Sequence, residues 1–408
     1  MRILSLQLTN IRCFQSLVLD FDRDLTLIFG PNGAGKSTVI DAIAAALSAV
    51  PGMDRQAAMD EHALRVDTVG APFQRERARA GEVRVTLHNE GRERALGIRL
   101  ERGEGATPTG NHEGLAEAIQ TWVDDPERIL PVLAVYTAQR SWRDLAPPTE
   151  PPIGRRAGYV DALSAGADLA HLRAWWRDQE LERLRRSEMP ALAAAKEAVR
   201  RLLGDEVALP VYSAVDGDII VEVPETRARL CLRELSGGYR GMVALVIDIA
   251  RRMAQLNPAL GAEVLQRTPG VVAVDVLEPH LHPTWQRLLL PRLRALFPQV
   301  QWIATTHSPQ VLAGVDENSE VVGLSLSGEV EDGVLPVVGR DSNAVLVEVM
   351  GDRERPAQYE AKLDELYQKL DEQDFERVRV IIRELAAVWG ADEPTLVRAR
   401  WALDVEED

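Results

Sequence analysis

The sequence predicts an α/β fold: a mixed or parallel sheet flanked by helices, with inserted β and helical lobes and a C-terminal helical segment. Three observations predict it. Short apolar runs at 271–275 and 301–305 are each followed by a helix-period stretch, as in a parallel sheet with helical crossovers. A glycine-rich turn at 30–35 joins an apolar strand to a helix. Near the end, Leu363, Leu366 and Leu370, then Phe375, Val378, Ile382 and Leu385, keep a helical repeat.

Along the chain, residues 3–9, 17–21 and 25–29 alternate or run apolar, and read as strands. A helix is expected over 36–49. Residues 51–130 are polar and rich in arginine and glycine, with strands near 83–87 and 96–100, and read as an inserted lobe. A buried strand at 131–136 returns to the core, and a proline-rich loop follows at 147–156. Residues 168–203 read as helical, with Leu169, Leu172, Trp175 and Trp176 at spacings of three and four. Two short strands, 218–223 and 227–232, precede a helix that starts near Ser236. The expected division is a head over 1–338, carrying a helical lobe at about 160–235, and a helical docking segment over 339–408.

Composition excludes several classes. Cys13 and Cys231 are the only cysteines, too few for a disulfide framework or a cysteine metal site. The apolar run 242–250 is interrupted by Asp248, and no stretch has the length and apolarity of a membrane span. The first residues show no signal pattern, so a cytoplasmic protein is expected. The net charge of −16 makes the chain a poor general polyanion binder. Lysine is rare: Lys36, Lys196, Lys362 and Lys369 stand among 47 basic residues.

One of those lysines falls in Gly30-Pro31-Asn32-Gly33-Ala34-Gly35-Lys36-Ser37, which fits G-x-x-x-x-G-K-[ST] between a strand and a helix. The glycines let backbone N–H groups curl round a phosphate, and the helix N-terminus favours negative charge. Asn32, Gly33, Ala34, Gly35, Lys36, Ser37 and Thr38 are the expected nucleotide contacts. Lys36 would reach the β- and γ-phosphates, and Ser37 would ligate Mg²⁺. ATP and Mg²⁺ are therefore the expected ligands.

Leu235-Ser236-Gly237-Gly238 opens another glycine-lined helix. Thirty-nine residues after Ser236, an apolar strand ends at Asp275, a position suited to a Mg²⁺-linked carboxylate. Thirty-two residues further on, a second strand leads to His307 in Thr305-Thr306-His307-Ser308-Pro309. In this order the motifs resemble those of the ABC ATPases, a P-loop NTPase head. Glu278, His280-Leu281-His282-Pro283 and Asn10-Ile11-Arg12-Cys13-Phe14 narrow the resemblance to the RecF, SMC and OLD-like branch. The resemblance implies that Arg12 lies near the nucleotide, that Gln139 senses Mg²⁺ and the γ-phosphate, and that His307 contacts the γ-phosphate. A surface role for Gln139 is the open alternative. His280 and His282, two residues apart, do not share a helix face and are expected to be structural.

One position departs from the family pattern. The residue after the aspartate is usually a glutamate that positions water, and here it is Val276. Loss of a positioned base typically costs ~10²–10⁴-fold in rate. If the segment is extended, Glu278 lies on the same side roughly 6–7 Å further along and is the nearby substitute. ATP binding is thus expected, with hydrolysis slow or absent.

The resemblance also implies a site shared between chains, the phosphate loop of one facing Ser236, Gly237 and Gly238 of another. One set of motifs per chain then requires a dimer or higher homo-oligomer. Fewer than a hundred residues separate Gln139 from Leu235, so long coiled-coil arms are absent. Gly339-Arg340-Asp341-Ser342-Asn343 and the helical tail resemble the C-terminal end of Septu (PtuA-like) and retron-associated antiphage defence ATPases, which implies an effector such as an HNH nuclease. Residues 351–408 carry 16 acidic and 9 basic residues, which suits protein docking better than DNA contact; a helical cap is the alternative. Two functions stay open. One is a nucleotide-controlled subunit that regulates a nuclease in antiphage defence, with DNA or retron RNA/DNA as a further partner. The other is a RecF/SMC-like repair ATPase that binds DNA across its dimer, through Arg75, Arg77 and Arg79 or Arg183, Arg185 and Arg186. No membrane partner is expected.

Overall fold

The computed structural model describes residues 1–48, 59, 61–68, 75–89, 91–104, 106–136, 154–163, 169–185, 189–331 and 335–407. The chain divides into two compact units, Met1–Val345 and Leu346–Asp408.

The first unit begins with strands β1 (Arg2–Ile11), β2 (Phe14–Asp20) and β3 (Leu25–Phe29), then helix α1 (Lys36–Ser48). Short strands β4 (Val66–Thr68) and β5 (Arg75–Arg77) precede β6 (Ala80–Asn89), β7 (Arg92–Glu101), β8 (Thr107–Gly110) and α2 (His112–Asp124). Strand β9 (Val132–Tyr136), helices α3 (Leu169–Arg183) and α4 (Pro190–Leu203), and strands β10 (Val211–Ser213), β11 (Asp218–Glu222) and β12 (Arg229–Cys231) come next. The unit continues with α5 (Gly237–Leu256), α6 (Val264–Arg267), β13 (Gly270–Val274), α7 (Pro283–Leu296), β14 (Val300–Thr305), α8 (Pro309–Leu312), β15 (Ser319–Gly323) and α9 (Ser342–Ala344).

Two sheets enclose α1. The parallel sheet has the order β15-β3-β14-β13-β9. Strands β3, β9, β13 and β14 are buried at every residue, which explains their mostly apolar sequence. The antiparallel sheet has the order β2-β1-β6-β7-β8. Helix α1 packs on β1, β6 and β7 on one side and on β14 on the other, so nearly all of it is buried.

Three expectations change. Residues read as an inserted lobe instead supply β6, β7 and β8 to the sheet that β1 and β2 begin. The alternating burial of β6 gives it an apolar face, and that face covers α1. The helical stretch 168–203 is two helices, with Pro190 at the start of the second, where its missing N–H costs nothing. Strands β10 and β15 were not anticipated; the first is three residues long and the second is buried on only part of its length.

The second unit holds helices α10 (Ala357–Asp371), α11 (Phe375–Trp389) and α12 (Pro394–Glu407). They share a core of Leu366, Leu370, Val378, Ile381, Ile382, Leu385, Leu396 and Leu403. Arg355 stacks 4.3 Å from the centre of the Trp389 ring and pairs with Glu393 at 2.7 Å, closing one end of that core.

Candidate functional site

The topology places the candidate residues at one end of the parallel sheet. Neighbouring strands β3, β14, β13 and β9 end in turn at the glycine loop, at His307, at Asp275 and at Tyr136. In open α/β sheets, ligands bind at the carboxyl ends of the strands.

The loop 30–35 is compressed. Gly30 has φ +148°, and a Cβ there would stand 2.2 Å from the Leu324 carbonyl oxygen. Gly35 has φ +96°, and a Cβ would meet the Phe14 ring at 2.4 Å. Only glycine fits either place. Beside the loop lies a cleft of about 350 Å³. Its lining comes from Asn32, Gly33, Gly35, Lys36, Ser37 and Thr38, from Arg12 and Cys13, and from His307. Ala34 is not part of the lining; it is fully buried, and its amide donates to the Pro31 carbonyl at 3.3 Å.

Lys36 Nζ donates to the carbonyls of Gly30 at 2.7 Å and Pro31 at 2.9 Å. Burial lowers its pKa, and the negative charges of Asp275 and Glu278 pull it back up. Arg12 sits in the left-handed region at φ 47°. Its Nη1 donates to Asp41 Oδ2 at 2.7 Å and to Thr38 Oγ1 at 3.4 Å, which holds the guanidinium along the first turn of α1.

Asp275 is 1% exposed. Thr305 Oγ1 donates to its Oδ1 at 2.6 Å, and its own amide donates to the Tyr136 carbonyl at 2.7 Å. After Asp275 the chain turns. Val276 takes φ 49°, a rare conformation for a β-branched residue, and its amide donates to Thr305 Oγ1 at 2.7 Å. The expectation that Glu278 lies further along an extended segment is therefore corrected. The turn brings Glu278 within electrostatic reach of Lys36, and its Oε1 accepts the His307 amide at 2.8 Å. Burial and the Lys36 charge lower the His307 pKa, with Asp275 opposing, so the imidazole is neutral at pH 7.

The structure thus gathers Arg12, Asn32, Gly33, Gly35, Lys36, Ser37, Thr38, Asp275, Glu278 and His307 around one end of the sheet. Gln139 lies outside the described residues. Ser236, Gly237 and Gly238 are elsewhere in the same chain: none lines the cleft among the described residues. Ser236 caps α5, its Oγ accepting from the Tyr239 amide at 3.5 Å, and Ser236 and Gly237 are exposed. A Cβ on Gly238 would stand 2.4 Å from the His280 carbonyl oxygen, so the helix start rests on the turn after Asp275. His282 caps α7, its Nδ1 accepting from the Thr284 amide at 3.4 Å. The His282 side chain is thus engaged in local structure, and His280 meets α5 through its backbone carbonyl.

The sequence reading missed three contributors. Thr305 ends β14 and fixes Asp275, and its place two residues before His307 was the available signal. Asp41 holds Arg12 one turn into α1. Tyr136 joins Asp275 to α5 and had no sequence signal beyond an apolar strand.

Comparison with known proteins agrees with this geometry. A family model described as "AAA domain" matches residues 5–147, and one described as "AAA domain, putative AbiEii toxin, Type IV TA system" matches 156–313. The chain is similar to an Escherichia coli protein named "Retron Ec83 probable ATPase", at 26% identity over 100% of this chain and 89% of that one. It is similar to the Septu protein PtuA of Bacillus thuringiensis, at 22% identity over 92% of this chain and 91% of that one. The Smc head domain with a coiled coil and joint from Pyrococcus yayanosii superposes with a TM-score of 0.52 at 12% identity, over 85% of this chain and 99% of that one. The chain is thus a P-loop ATPase with the fold of an SMC head domain, similar along its length to a retron ATPase and to a Septu PtuA protein.

Proposed function

We propose that the chain binds ATP with Mg²⁺, assembles with further copies of itself when ATP is bound, and in that state controls an effector, a nuclease such as an HNH protein, in antiphage defence. One observation carries the reading. Among the described residues the cleft is lined by the phosphate loop, Arg12 and His307 but by none of Ser236, Gly237 and Gly238, and Ser236 and Gly237 are exposed at the start of α5 elsewhere on the chain. A second copy supplies what the first lacks.

The residues present fit the ligands. The glycine loop leaves its amides and the α1 N-terminus for phosphate oxygens. Lys36 exchanges the Gly30 and Pro31 carbonyls for phosphate oxygens of higher negative charge. Ser37 and Asp275 hold Mg²⁺, and Gln139 joins them by its position in the family motif. When bound, that ion neutralises charge between the phosphates. Neutral His307 donates a hydrogen bond to the γ-phosphate. Arg12, fixed by Asp41, faces the same cleft. Asn32, Gly33, Ala34 and Thr38 complete the nucleotide contacts.

The similarity to retron and Septu proteins supports the defence role and the effector. Of the arginines on which the repair alternative, DNA across a dimer, would rest, two carry ion pairs with neighbouring carboxylates. Arg183 is paired with Glu180 at 2.9 Å and Arg185 with Glu182 at 3.8 Å. Among the described residues no helix is long and apolar enough to cross a membrane.

The test is phage challenge of a host expressing this chain with its neighbouring reading frames, wild type or Lys36→Ala. Protection lost in Lys36→Ala, with protein levels equal, is expected. Protection equal to wild type contradicts the reading.

A further inference from the structure

Tyr136 ends β9 and makes two bonds in opposite directions. Its backbone carbonyl accepts the Asp275 amide at 2.7 Å. Its hydroxyl donates to Asp248 Oδ2 at 2.7 Å, in the middle of α5. Asp248 is 1% exposed and sits between two buried arginines. Arg251 Nη2 reaches its Oδ1 at 2.6 Å, and Arg252 Nε reaches its Oδ2 at 2.7 Å. Arg252 then donates to the carbonyls of Gly158 at 3.1 Å and Val160 at 2.7 Å. The helix that begins with the signature is therefore tied, through one buried carboxylate, to the strand end beside Asp275 and to the segment 158–160.

A second grip holds the first turn of α5. Gly238 packs against the carbonyl of His280, on the turn that leaves Asp275. Both grips lead back to the same aspartate. A buried ion pair is weak evidence for stability, and apolar side chains of similar volume often serve as well. What a hydrogen-bonded group adds is direction: a shift of Tyr136 must either move Asp248 with it or break the bond. Packed elements joined in this way change between discrete arrangements instead of deforming smoothly. Burial and the Asp248 charge raise the Tyr136 pKa well above its ordinary value, so the hydroxyl remains a donor at all working pH.

We propose that Tyr136, Asp248 and Arg252 are positioning residues that couple the state of Asp275 to the placement of the signature helix, and so to ATP-dependent assembly. This rests on the assembly proposed above. Ligand contact at Asp275 is transmitted through the Tyr136 peptide and ring to α5, which carries Ser236 and Gly237 toward the second copy.

The experiment compares wild type, Tyr136→Phe and Tyr159→Phe. Tyr159 is the matched control: it is buried in the segment that Arg252 grips, but its hydroxyl donates to the Pro131 carbonyl at 2.8 Å and not to Asp248, so its loss leaves the Tyr136–Asp248 bond in place. Three quantities are measured: affinity for a fluorescent ATP analogue, thermal midpoint, and the ATP-dependent association constant by sedimentation. Both variants are expected to lose a similar few degrees and to bind the analogue within about twofold of wild type. Only Tyr136→Phe weakens association, by roughly tenfold, the scale of a modest coupling between sites. Tyr136→Phe associating like wild type overturns the coupling. So does equal loss of association in both variants, which marks a purely structural role. A wild type that binds the analogue yet never associates overturns the assembly reading itself.

Discussion

The backbone amide of His307 donates to Oε1 of Glu278 at 2.8 Å, so the turn after Asp275 is fastened to the end of the neighbouring strand. Glu278 is 7% exposed and one of its oxygens is committed to this bond. Its geometry is that of a strut for His307 more than of a free base. Glutamine preserves the acceptor and removes the base, whereas alanine removes both. Glu278→Gln is expected to keep single-turnover hydrolysis within about threefold, and Glu278→Ala to lose at least about tenfold. Equal losses of ~10²-fold or more in both variants would make Glu278 the base instead.

Val276 occupies a left-handed backbone conformation where a β-branched side chain is strained, and it carries no group able to position water. Val276→Glu is expected to raise the single-turnover rate by ~10²-fold or more. Its thermal midpoint is expected to be no lower than wild type, since an unbranched side chain is less strained in the left-handed region than a β-branched one. An unchanged rate would show that a base at this position does not limit hydrolysis.

The buried Asp248 gives a pH prediction. Burial pushes its carboxyl up, and the adjacent Arg252 and Arg251 guanidiniums more than reverse this, holding it below the usual carboxylate range. A carboxyl whose folded pKa is depressed contributes stability that is fully present above the unfolded value of about 3.9 and is lost as pH falls through the folded value. The thermal midpoint is therefore expected to fall below about pH 4. Asp248→Asn leaves two guanidiniums buried with less compensation and is expected to cost about 3–5 kcal/mol near neutrality. It is also expected to flatten the acid limb. Differential scanning calorimetry across pH 3–7 measures both, and an acid limb as steep as wild type in Asp248→Asn would contradict the assignment.

Much of the candidate nucleotide site was legible because its chemistry is written in short stretches. The run 30–37, Leu235 to Gly238, Asp275 and His307 each pair an apolar strand or a helix start with a defined polar residue, and the parallel sheet aligns the strand ends. The contacts between those stretches were not legible. Asp41, Thr305 and Tyr136 act across distances of 29, 30 and 112 residues in the chain, and no local pattern announces them. Periodicity also missed that the region after α1 closes over that helix, because alternation shows that one face of β6 is buried but not what covers it. The turn at Val276 was misjudged for the same reason: a positive φ on valine runs against local propensity and is imposed by the Thr305 hydroxyl and the neighbouring strands.

The most direct measurement is the mass of the protein in solution by light scattering, with and without ATP and Mg²⁺, for wild type and Ser236→Arg. Wild type is expected to shift from a smaller to a larger species on adding ATP, while Ser236→Arg binds ATP with unchanged affinity and does not shift. A saturated wild type that keeps its nucleotide-free mass, or a Ser236→Arg protein that assembles like wild type, would contradict an ATP site completed by a second chain.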